Sequence, residues 1–485
     1  MTLAQIVRIR LAAIRVAATL VGAAFSLTVA ADPRSDIFQP DAFRTGAALR
    51  ERMPGLTDPL SRDCPFPAGP LTLAAAVDIA LCRNPTTRSA WAEAHYQAAA
   101  LGSSESAWLP TFTGTDSEQR QHGPHVDVEG NPISSVQNTN DAALNLSWTL
   151  FDFGARTGRI RSARYLLDAA AGTASFTIQQ TVFNVVQAYY GVVSSDALQE
   201  AAKLTEDTAA ASLDIAHALQ SGGAATLGDV LEAETAYDQV VLAHVLAVQA
   251  AQTSRGQLDF VLGVPADTPL KLDAQPVPAD VPALTARMTD LMTEASRQRP
   301  DLAAARAQLD AAEADITVAR AAGRPSIAAA GSRERILTTG IPTQNYTEIG
   351  VTLTVPIFTG FSVGYGVREA QGTYEVRGAN LEQVGLQVTL DVWNGYYAVE
   401  SANHQLQATA TLIKTAEANL EVAVGRYKAG VGVFLDLLNA QAALSQARQA
   451  RINAELAWEV SRAQLALALG RLSGADPLKH AEILP

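Results

Sequence analysis

Side chains that could carry catalysis are sparse in this 485-residue chain and form no recognisable reactive group. No Ser/His/Asp or Cys/His arrangement, phosphate-binding loop or dinucleotide fingerprint occurs in a suitable sequence context. His122 and His125 lie three residues apart, but two histidines alone rarely hold a metal ion, and a solvated loop is the better interpretation. The sequence therefore predicts a protein that is not an enzyme and that carries no cofactor and no metal.

The two cysteines gain their chemistry from the compartment that the N-terminus predicts. Residues 1–31 begin with three arginines, continue without charge and end in small side chains, which favours a cleaved signal peptide over a membrane anchor. Export brings Cys64 and Cys82 into an oxidising compartment, where we expect them to pair and fasten the N-terminal segment to the first helix. Because no cysteine follows the signal directly, we expect no lipid on the mature N-terminus.

The charge balance excludes one class of partner. The whole chain has a formal net charge of −13, and removal of the signal would take away three arginines and no acid. Nucleic-acid binding needs clustered positive charge, so we expect no nucleic-acid partner. An acidic chain suits a surface or a lumen that passes cations.

The chain contains an internal duplication. Three matched pairs, each 207 residues apart, are Phe151 with Phe358, Asp229 with Asp436, and Gly263 with Gly470. Upstream, Pro85 matches Pro300 and Pro110 matches Pro325 at a separation of 215. We therefore divide the chain into a signal peptide (1–31), an extended proline-rich segment (32–70), a first repeat (71–270), a linker (271–290), a second repeat (291–475) and a tail (476–485).

Each repeat is predicted to hold a short helix, a β-hairpin and a long helical hairpin. Residues 144–150 and 349–355 alternate apolar and small polar side chains, which is typical of barrel strands in lipid. Their partners are predicted at 111–120 and 326–335, with polar loops over 121–141 and 336–345. Long helices are predicted over 154–221 and 360–429, each roughly 100 Å long at 1.5 Å per residue. The fold class is mainly α with a membrane β-barrel.

The number of strands predicts an oligomer. Two hairpins supply four strands, and a membrane barrel needs about eight or more. Open strand edges in lipid would leave backbone groups unpaired at a cost of several kcal/mol each. Three copies would supply about twelve strands, so we expect each chain to contribute a part of one shared barrel.

The order of motifs resembles the TolC-type outer-membrane factor family over roughly 71–475. The motifs are Arg299-Pro300-Asp301-Leu302, Ala311-Ala312-Glu313-Ala314, Gly323-Arg324-Pro325-Ser326, Pro356-Ile357-Phe358-Thr359-Gly360, Tyr427-Lys428-Ala429-Gly430 and Asp436-Leu437-Leu438-Asn439-Ala440-Gln441. The resemblance implies a homotrimer with a twelve-stranded barrel and an α-helical periplasmic tunnel. It also implies a periplasmic adaptor protein and an inner-membrane ABC transporter or other pump as partners, with the energy coming from that pump.

The resemblance also implies a gate at the tips of the helical hairpins. The family's first acidic gate position matches Asp436, and its second matches Asn439, which is neutral. One ring of three carboxylates would remain and would attract cations. Taken without the resemblance, Asp436 would only begin the return helix, where an acid complements the helix dipole.

A lock that holds the family's gate closed is incomplete in this sequence. Its Tyr matches Tyr427 and its Asp matches Asp229, but its Arg falls on Gly432, which has no guanidinium to offer. Lys428 lies nearby in sequence. Either the closed state is looser here, or another contact holds it.

The sequence thus predicts a passive exit duct in the cell outer membrane, in contact with outer-membrane lipid and with a long periplasmic extension. Within the family it resembles the secretion-type members, such as the outer-membrane component of cyclolysin export, which implies type I secretion of a protein such as a toxin. The first alternative is a duct for a multidrug efflux pump. The second is a periplasmic coiled-coil scaffold without a pore.

Overall fold

The structure is a computed structural model that describes residues 41–53, 58–59, 64, 66, 69–126, 132–273 and 287–472. The predicted signal, most of the predicted linker and the predicted tail lie outside the described residues. The chain divides into two compact units, Met1–Thr45 and Gly46–Pro485. In the first, the described residues form a turn in which the Arg44 N–H donates to the Asp41 carbonyl at 3.1 Å. Everything that follows concerns the second unit.

Two halves of the chain fold into the same order of elements. After α1 (Thr45–Arg52), each half has two short helices, two antiparallel strands and two long helices. In the first half they are α2 (Leu73–Arg83), α3 (Pro85–Glu105), β1 (Thr111–Val126), β2 (Pro132–Phe151), α4 (Ala155–Ser221) and α5 (Leu227–Leu262). In the second half they are α6 (Met288–Gln298), α7 (Pro300–Ala321), β3 (Ser326–Thr338), β4 (Ile341–Thr354), α8 (Ser362–Lys428) and α9 (Phe434–Ala468).

The duplication is visible as one contact made twice. Gly263, which ends α5 with φ 76°, packs so closely on Arg83 that a Cβ would lie 2.9 Å from the Arg83 carbonyl. Gly470, which follows α9 with φ 74°, packs in the same way on Gln298, at 3.0 Å. A positive φ and a close backbone approach both require glycine. The two glycines are 207 residues apart and their partners, Arg83 and Gln298, are 215 residues apart, so both separations found in the sequence relate equivalent contacts.

The four strands form one antiparallel sheet in the order β1-β2-β3-β4, and the β2–β3 pairing joins the two halves. The register places the apolar residues of both predicted strands on a common face. Leu146 pairs with Gly331, which pairs with Ile349, so the Leu146 and Ile349 side chains lie on the same side of the sheet. We call this side the apolar face; its largest exposed members are Leu144, Trp148, Ile349, Val351 and Leu353.

The predicted loops over 121–141 and 336–345 are wrong at their edges. β1 continues to Val126 and β2 begins at Pro132, while β3 continues to Thr338 and β4 begins at Ile341. The backbone ladder carries the pairing, so polar side chains do not end a strand where both faces meet water. The first hairpin therefore extends past the second, because β2 pairs with β3 only from Thr139 onward.

The N-terminal segment is not wholly extended, as the sequence predicted. Residues 45–52 form α1, and its Leu49, together with Met53, is buried against Trp91 of α3 and Leu167 of α4. Burial of apolar side chains against α3 and α4 stabilises this short helix, although the surrounding prolines indicate an extended chain.

The long helices form as predicted, and each has 67 residues. α4 packs against α3 and α5 of its own half and against α7 and α9 of the other half, whereas α8 packs against α6, α7 and α9. The buried faces are rich in alanine, which lets the helix axes approach closely. None of the described helices has both the length and the apolar composition to cross a membrane.

Candidate functional site

The predicted gate residues lie at the two turns that join the long helices. Both turns are closed by a glycine in the left-handed conformation, Gly223 with φ 77° and Gly430 with φ 69°. In each, a backbone N–H beyond the glycine returns to the last turn of the helix. Ala224 donates to Leu219 at 2.8 Å, and Val431 donates to Arg426 at 3.1 Å.

The two return helices begin differently. Thr226 caps α5: its hydroxyl accepts from the Asp229 N–H at 3.2 Å, and the Asp229 carboxylate accepts from the Thr226 N–H at 2.8 Å. This reciprocal pair is a capping box. The equivalent residue before α9 is Val433, whose side chain has no oxygen and makes no cap.

Asp436 is consequently the acid of the tip with an uncommitted carboxylate. It occupies the same position in α9 that Asp229 has in α5, and no hydrogen bond or ion pair to its carboxylate forms within the part of the chain that is described. Asp436 and Asn439 are both exposed, three residues apart on one side of α9, while Leu437 and Ala440 between and beside them are buried. The rigid helix therefore presents this side chain to solvent.

The structure places one further acid that the sequence prediction did not assign. Glu232 stands in the first hairpin at the position equivalent to Asn439 and is exposed. The sequence could have indicated Glu232, because it lies 207 residues before Asn439, the separation that relates the two repeats.

Of the predicted lock residues, Tyr427 lies in a buried apolar cluster to which both helices of each helical hairpin contribute. Tyr427 and Phe434 are buried with Ala216 of α4 and Val230 of α5, and the two rings lie 5.2 Å apart. The Tyr427 hydroxyl has no hydrogen-bond partner among the described residues. Burial, and then the negative charge of Asp229, raise the pKa of Tyr427. Tyr427 and Asp229 are therefore close, but no hydrogen bond joins them.

Gly432 lacks a guanidinium and also lies in a place where there is little room for any side chain. A Cβ there would lie 3.1 Å from the backbone nitrogen of Tyr427 and 3.1 Å from the Cβ of Arg426. The Gly432 N–H also donates to the Arg426 carbonyl at 3.1 Å. The turn therefore brings Gly432 against the last turn of α8. Any side chain at position 432 would crowd the α8 backbone at Tyr427. Lys428 is exposed and forms no ion pair within the described ranges.

Two polar contacts had no predicted role, and the first of them joins the two halves. Gln441 of α9 donates to the Ser212 hydroxyl of α4 at 2.6 Å, one helical segment away from the tips. Far from the tips, the buried Arg299 binds Asp301 and Asp391, each at 2.6 Å, and so fixes the start of α7 to α8. Both residues belong to the motifs that carried the resemblance.

The remaining candidate residues have structural surroundings. A disulfide joins Cys64 to Cys82, with the Cα atoms 6.2 Å apart. His122 is exposed on β1, and the His125 side chain lies outside the described residues. In the described part of the chain no group of three or more His, Cys, Asp or Glu side chains could hold a metal ion. The Tyr189 hydroxyl donates to the Leu71 and Asp273 carbonyls, at 3.1 and 2.7 Å.

This combination defines a class of protein. A sheet with one apolar face is joined to two helical hairpins, in each of which a helix of 67 residues is followed by a return helix with an acid in its first turn. These are the parts of a membrane channel rather than of an enzyme. The family model described as "Outer membrane efflux protein" matches residues 76–264 and 291–471. The chain belongs to this family of outer-membrane channel proteins, which are not enzymes.

Two relatives match most of the chain, and one solved structure shares its fold. Protein CyaE of Bordetella pertussis is 30% identical over 450 residues, which cover 90% of this chain and 91% of that protein. The toluene efflux pump outer membrane protein TtgF of Pseudomonas putida is 28% identical over 377 residues, or 75% of this chain and 76% of that protein. The solved structure of the outer-membrane channel OprN has a TM-score of 0.73 at 22% identity, covering 83% of this chain and 91% of that one.

Proposed function

We propose that three identical copies of this chain form an exit duct in the cell outer membrane, with the long helices extending into the periplasm. The duct would work with a periplasmic adaptor protein and an inner-membrane ABC transporter. Its cargo would be a protein, such as a toxin, exported by type I secretion. The acidic tips would set which ions enter the closed duct.

The two open edges of the sheet carry this proposal. Within the described residues, β1 and β4 each pair with one strand only, so both expose a row of unpaired backbone groups. In lipid each unpaired group costs several kcal/mol. Joining β4 of one copy to β1 of the next removes these edges, and three copies give about twelve strands, a number within the range of known barrels.

The duplication supports the same arrangement in the helices. Gln179 of α4 reaches across the halves and donates to the Gly470 carbonyl at 3.0 Å. The residue of α8 equivalent to Gln179 is Leu386, and the residue equivalent to Gly470 is Gly263. In the assembly, Leu386 of one copy would therefore lie near Gly263 of the next copy. In the single chain Leu386 is 72% exposed, and Leu390 and Trp393 on the same helix are about half exposed. A second copy would cover this apolar surface.

A cysteine cross-link tests the assembly. Ser212 and Gln441 are in contact within the chain, and their equivalents in the other repeat are Asn419 and Glu234. In the proposed trimer, Asn419 of one copy would contact Glu234 of the next. We expect Asn419→Cys with Glu234→Cys to form an intermolecular disulfide and to give covalent trimers on non-reducing gels. Each single substitution is the control and should give no trimer. Monomers from the double variant would contradict the arrangement.

Channel formation separates a duct from the scaffold alternative. The purified protein should form cation-selective channels in planar bilayers, and a scaffold would form none. If the protein stays monomeric in mild detergent and gives no conductance, the duct is the wrong proposal.

The choice between secretion and drug efflux depends on the inner partner. The resemblance to secretion-type members and the 30% identity to CyaE support secretion, while the 28% identity to a toluene efflux pump component supports efflux. Deleting the gene should abolish release of one secreted protein without changing drug susceptibility. Increased susceptibility with unchanged secretion would favour the efflux alternative.

A further inference from the structure

Two arginines of β3 stand near the outer end of the apolar face, with the exposed Leu337 two residues beyond them. Arg333 pairs with Leu144 and Arg335 pairs with Ala142, so both guanidiniums stand on the same side as Leu144. Both side chains are exposed, whereas Glu334 between them points to the opposite side and is half-buried. They lie toward the turn between β3 and β4, at the end of the sheet that is remote from the helices.

Neither arginine has an internal partner. No ion pair to Arg333 or Arg335 forms within 4.0 Å among the residues that the structure describes. A lipid-facing arginine costs about 2–4 kcal/mol at the bilayer midplane and almost nothing near the headgroups. Arg333 stands level with Leu144, and Arg335 lies farther from the helices, so we place the headgroups at the level of this pair.

A shallow groove lies beside the two arginines. It has a volume of about 730 Å³, and most of its lining residues belong to the apolar face or its continuation. Gly114 and Ala142, which have small or no side chains, form the floor of the groove. Arg333 and Arg335 form one wall, and Asp116 forms the other. Asn140 donates to the Asp116 carboxylate at 2.9 Å and keeps it in place.

We propose that this groove binds the headgroup of a phosphorylated glycolipid of the outer leaflet. The inference rests on the proposed location of the sheet in the outer membrane. The phosphate would take the two guanidiniums, which offer planar pairs of N–H donors that match phosphate oxygens. Asp116, two strand spacings or roughly 10 Å away, would accept from a sugar hydroxyl. The acyl chains would lie along the apolar face below Leu144.

The position of β3 in the sheet supports this partner over a second copy. β3 has β2 on one side and β4 on the other, so Arg333 and Arg335 stand away from the open edges at which copies would join. The β3 part of this surface is positive on its lipid side, and anionic lipid is the component of the surroundings that complements it.

The test measures lipid A bound to the detergent-purified full-length protein by native mass spectrometry. We expect Arg333→Gln with Arg335→Gln to bind lipid A about tenfold more weakly than the unaltered protein. Arg333→Lys with Arg335→Lys, which keeps the charge but not the paired donors, should give an intermediate loss. Lys414→Gln with Arg448→Gln removes the same charge from the helices and should leave lipid A binding unchanged.

Two outcomes would overturn the inference. One is equal lipid A binding by the double glutamine variant and the unaltered protein. The other is binding of phosphatidylethanolamine as tight as that of lipid A, since a glycolipid site should prefer the sugar phosphate. Conductance in phosphatidylcholine bilayers separates this failure from failure of the duct itself, because the double variant should conduct normally there. An unaltered protein that does not conduct would instead remove the proposed function.

Discussion

Asp229 and Asp436 occupy equivalent positions in α5 and α9, yet only the Asp229 carboxylate accepts a backbone hydrogen bond, from Thr226 at 2.8 Å. The difference comes from one residue, because Val433 stands where the first hairpin has Thr226. A duplicated tip has thereby acquired two kinds of acid. One belongs to a capping box at the start of its helix, and the carboxylate of the other accepts no hydrogen bond from the described residues.

Asp436→Asn should lower the cation-to-anion permeability ratio by at least about twofold, because it removes the uncommitted charge from the tip. The measurement is the reversal potential in a salt gradient across a planar bilayer. Asp229→Asn makes the same change at the equivalent position and should alter selectivity less, since its carboxylate already faces a backbone donor. Equal effects of the two variants would place the selective charge elsewhere.

Val433→Thr should create in α9 the capping box that α5 already has. A Thr hydroxyl would accept from the Asp436 N–H, and we expect a stabilisation of about 1 kcal/mol. Chemical denaturation gives the free energy of unfolding. The converse change, Thr226→Ala, should destabilise α5 by a similar amount. If Val433→Thr also reduces cation selectivity, tying down the Asp436 carboxylate is the reason.

Tyr427→Phe should leave the closed-state conductance unchanged and cost little stability. The hydroxyl it removes is buried without a partner, so no hydrogen bond is lost. Tyr427→Ala would empty the cluster around Phe434 and should cost roughly 3–5 kcal/mol. A rise in conductance with Tyr427→Phe would show that the hydroxyl forms a closing bond in the assembled duct.

Gly432→Arg should stabilise the closed state by supplying the guanidinium that the family's lock uses, and it should lower the conductance. Because any Cβ at this position approaches the Tyr427 backbone at 3.1 Å, Gly432→Ala is the matched control for the steric effect. Only the Arg variant should lower the conductance relative to Ala. A higher conductance of Gly432→Arg would contradict the lock.

Stability should fall as the pH rises toward neutrality, because of Glu459 in α9. Burial raises the pKa of Glu459 from 4.5 to about 7, against the opposing charge of Arg462. The folded chain therefore holds this proton up to a higher pH than the unfolded chain does. The contribution is favourable below about pH 4.5 and is lost as the pH rises through about 7.

Thermal unfolding measured across this range tests the assignment. Glu459→Gln keeps the shape of the side chain without the ionisation and should flatten the dependence. An unchanged slope in the variant would assign the titration to another buried acid, such as Asp259, whose pKa burial also raises.

Local signals in the sequence were sufficient for the strands, the long helices and the helices that begin at a proline, but not for α1 or for the first short helix of each half, α2 and α6. Proline at Pro85 and Pro300 begins a helix in both halves, and the alternation over 144–150 and 349–355 predicts strands that the sheet contains. Strand ends could not be read in this way, because β1 continues through polar residues to Val126 on backbone pairing alone. Helix α1 was missed because its stability comes from burial against α3 and α4, not from its own composition.

By itself, the sequence determined the duplication, the class of fold and the residues at the tips, because separations and periodicities can be read from the order of the residues alone. Tertiary structure alone decided what those residues do. It tied the Asp229 carboxylate to Thr226, left that of Asp436 open, buried the Tyr427 hydroxyl without a partner and folded a turn over Gly432. The physical reason is that a hydrogen bond or a close contact depends on distances of a few ångströms between backbone atoms, which residue types alone do not specify.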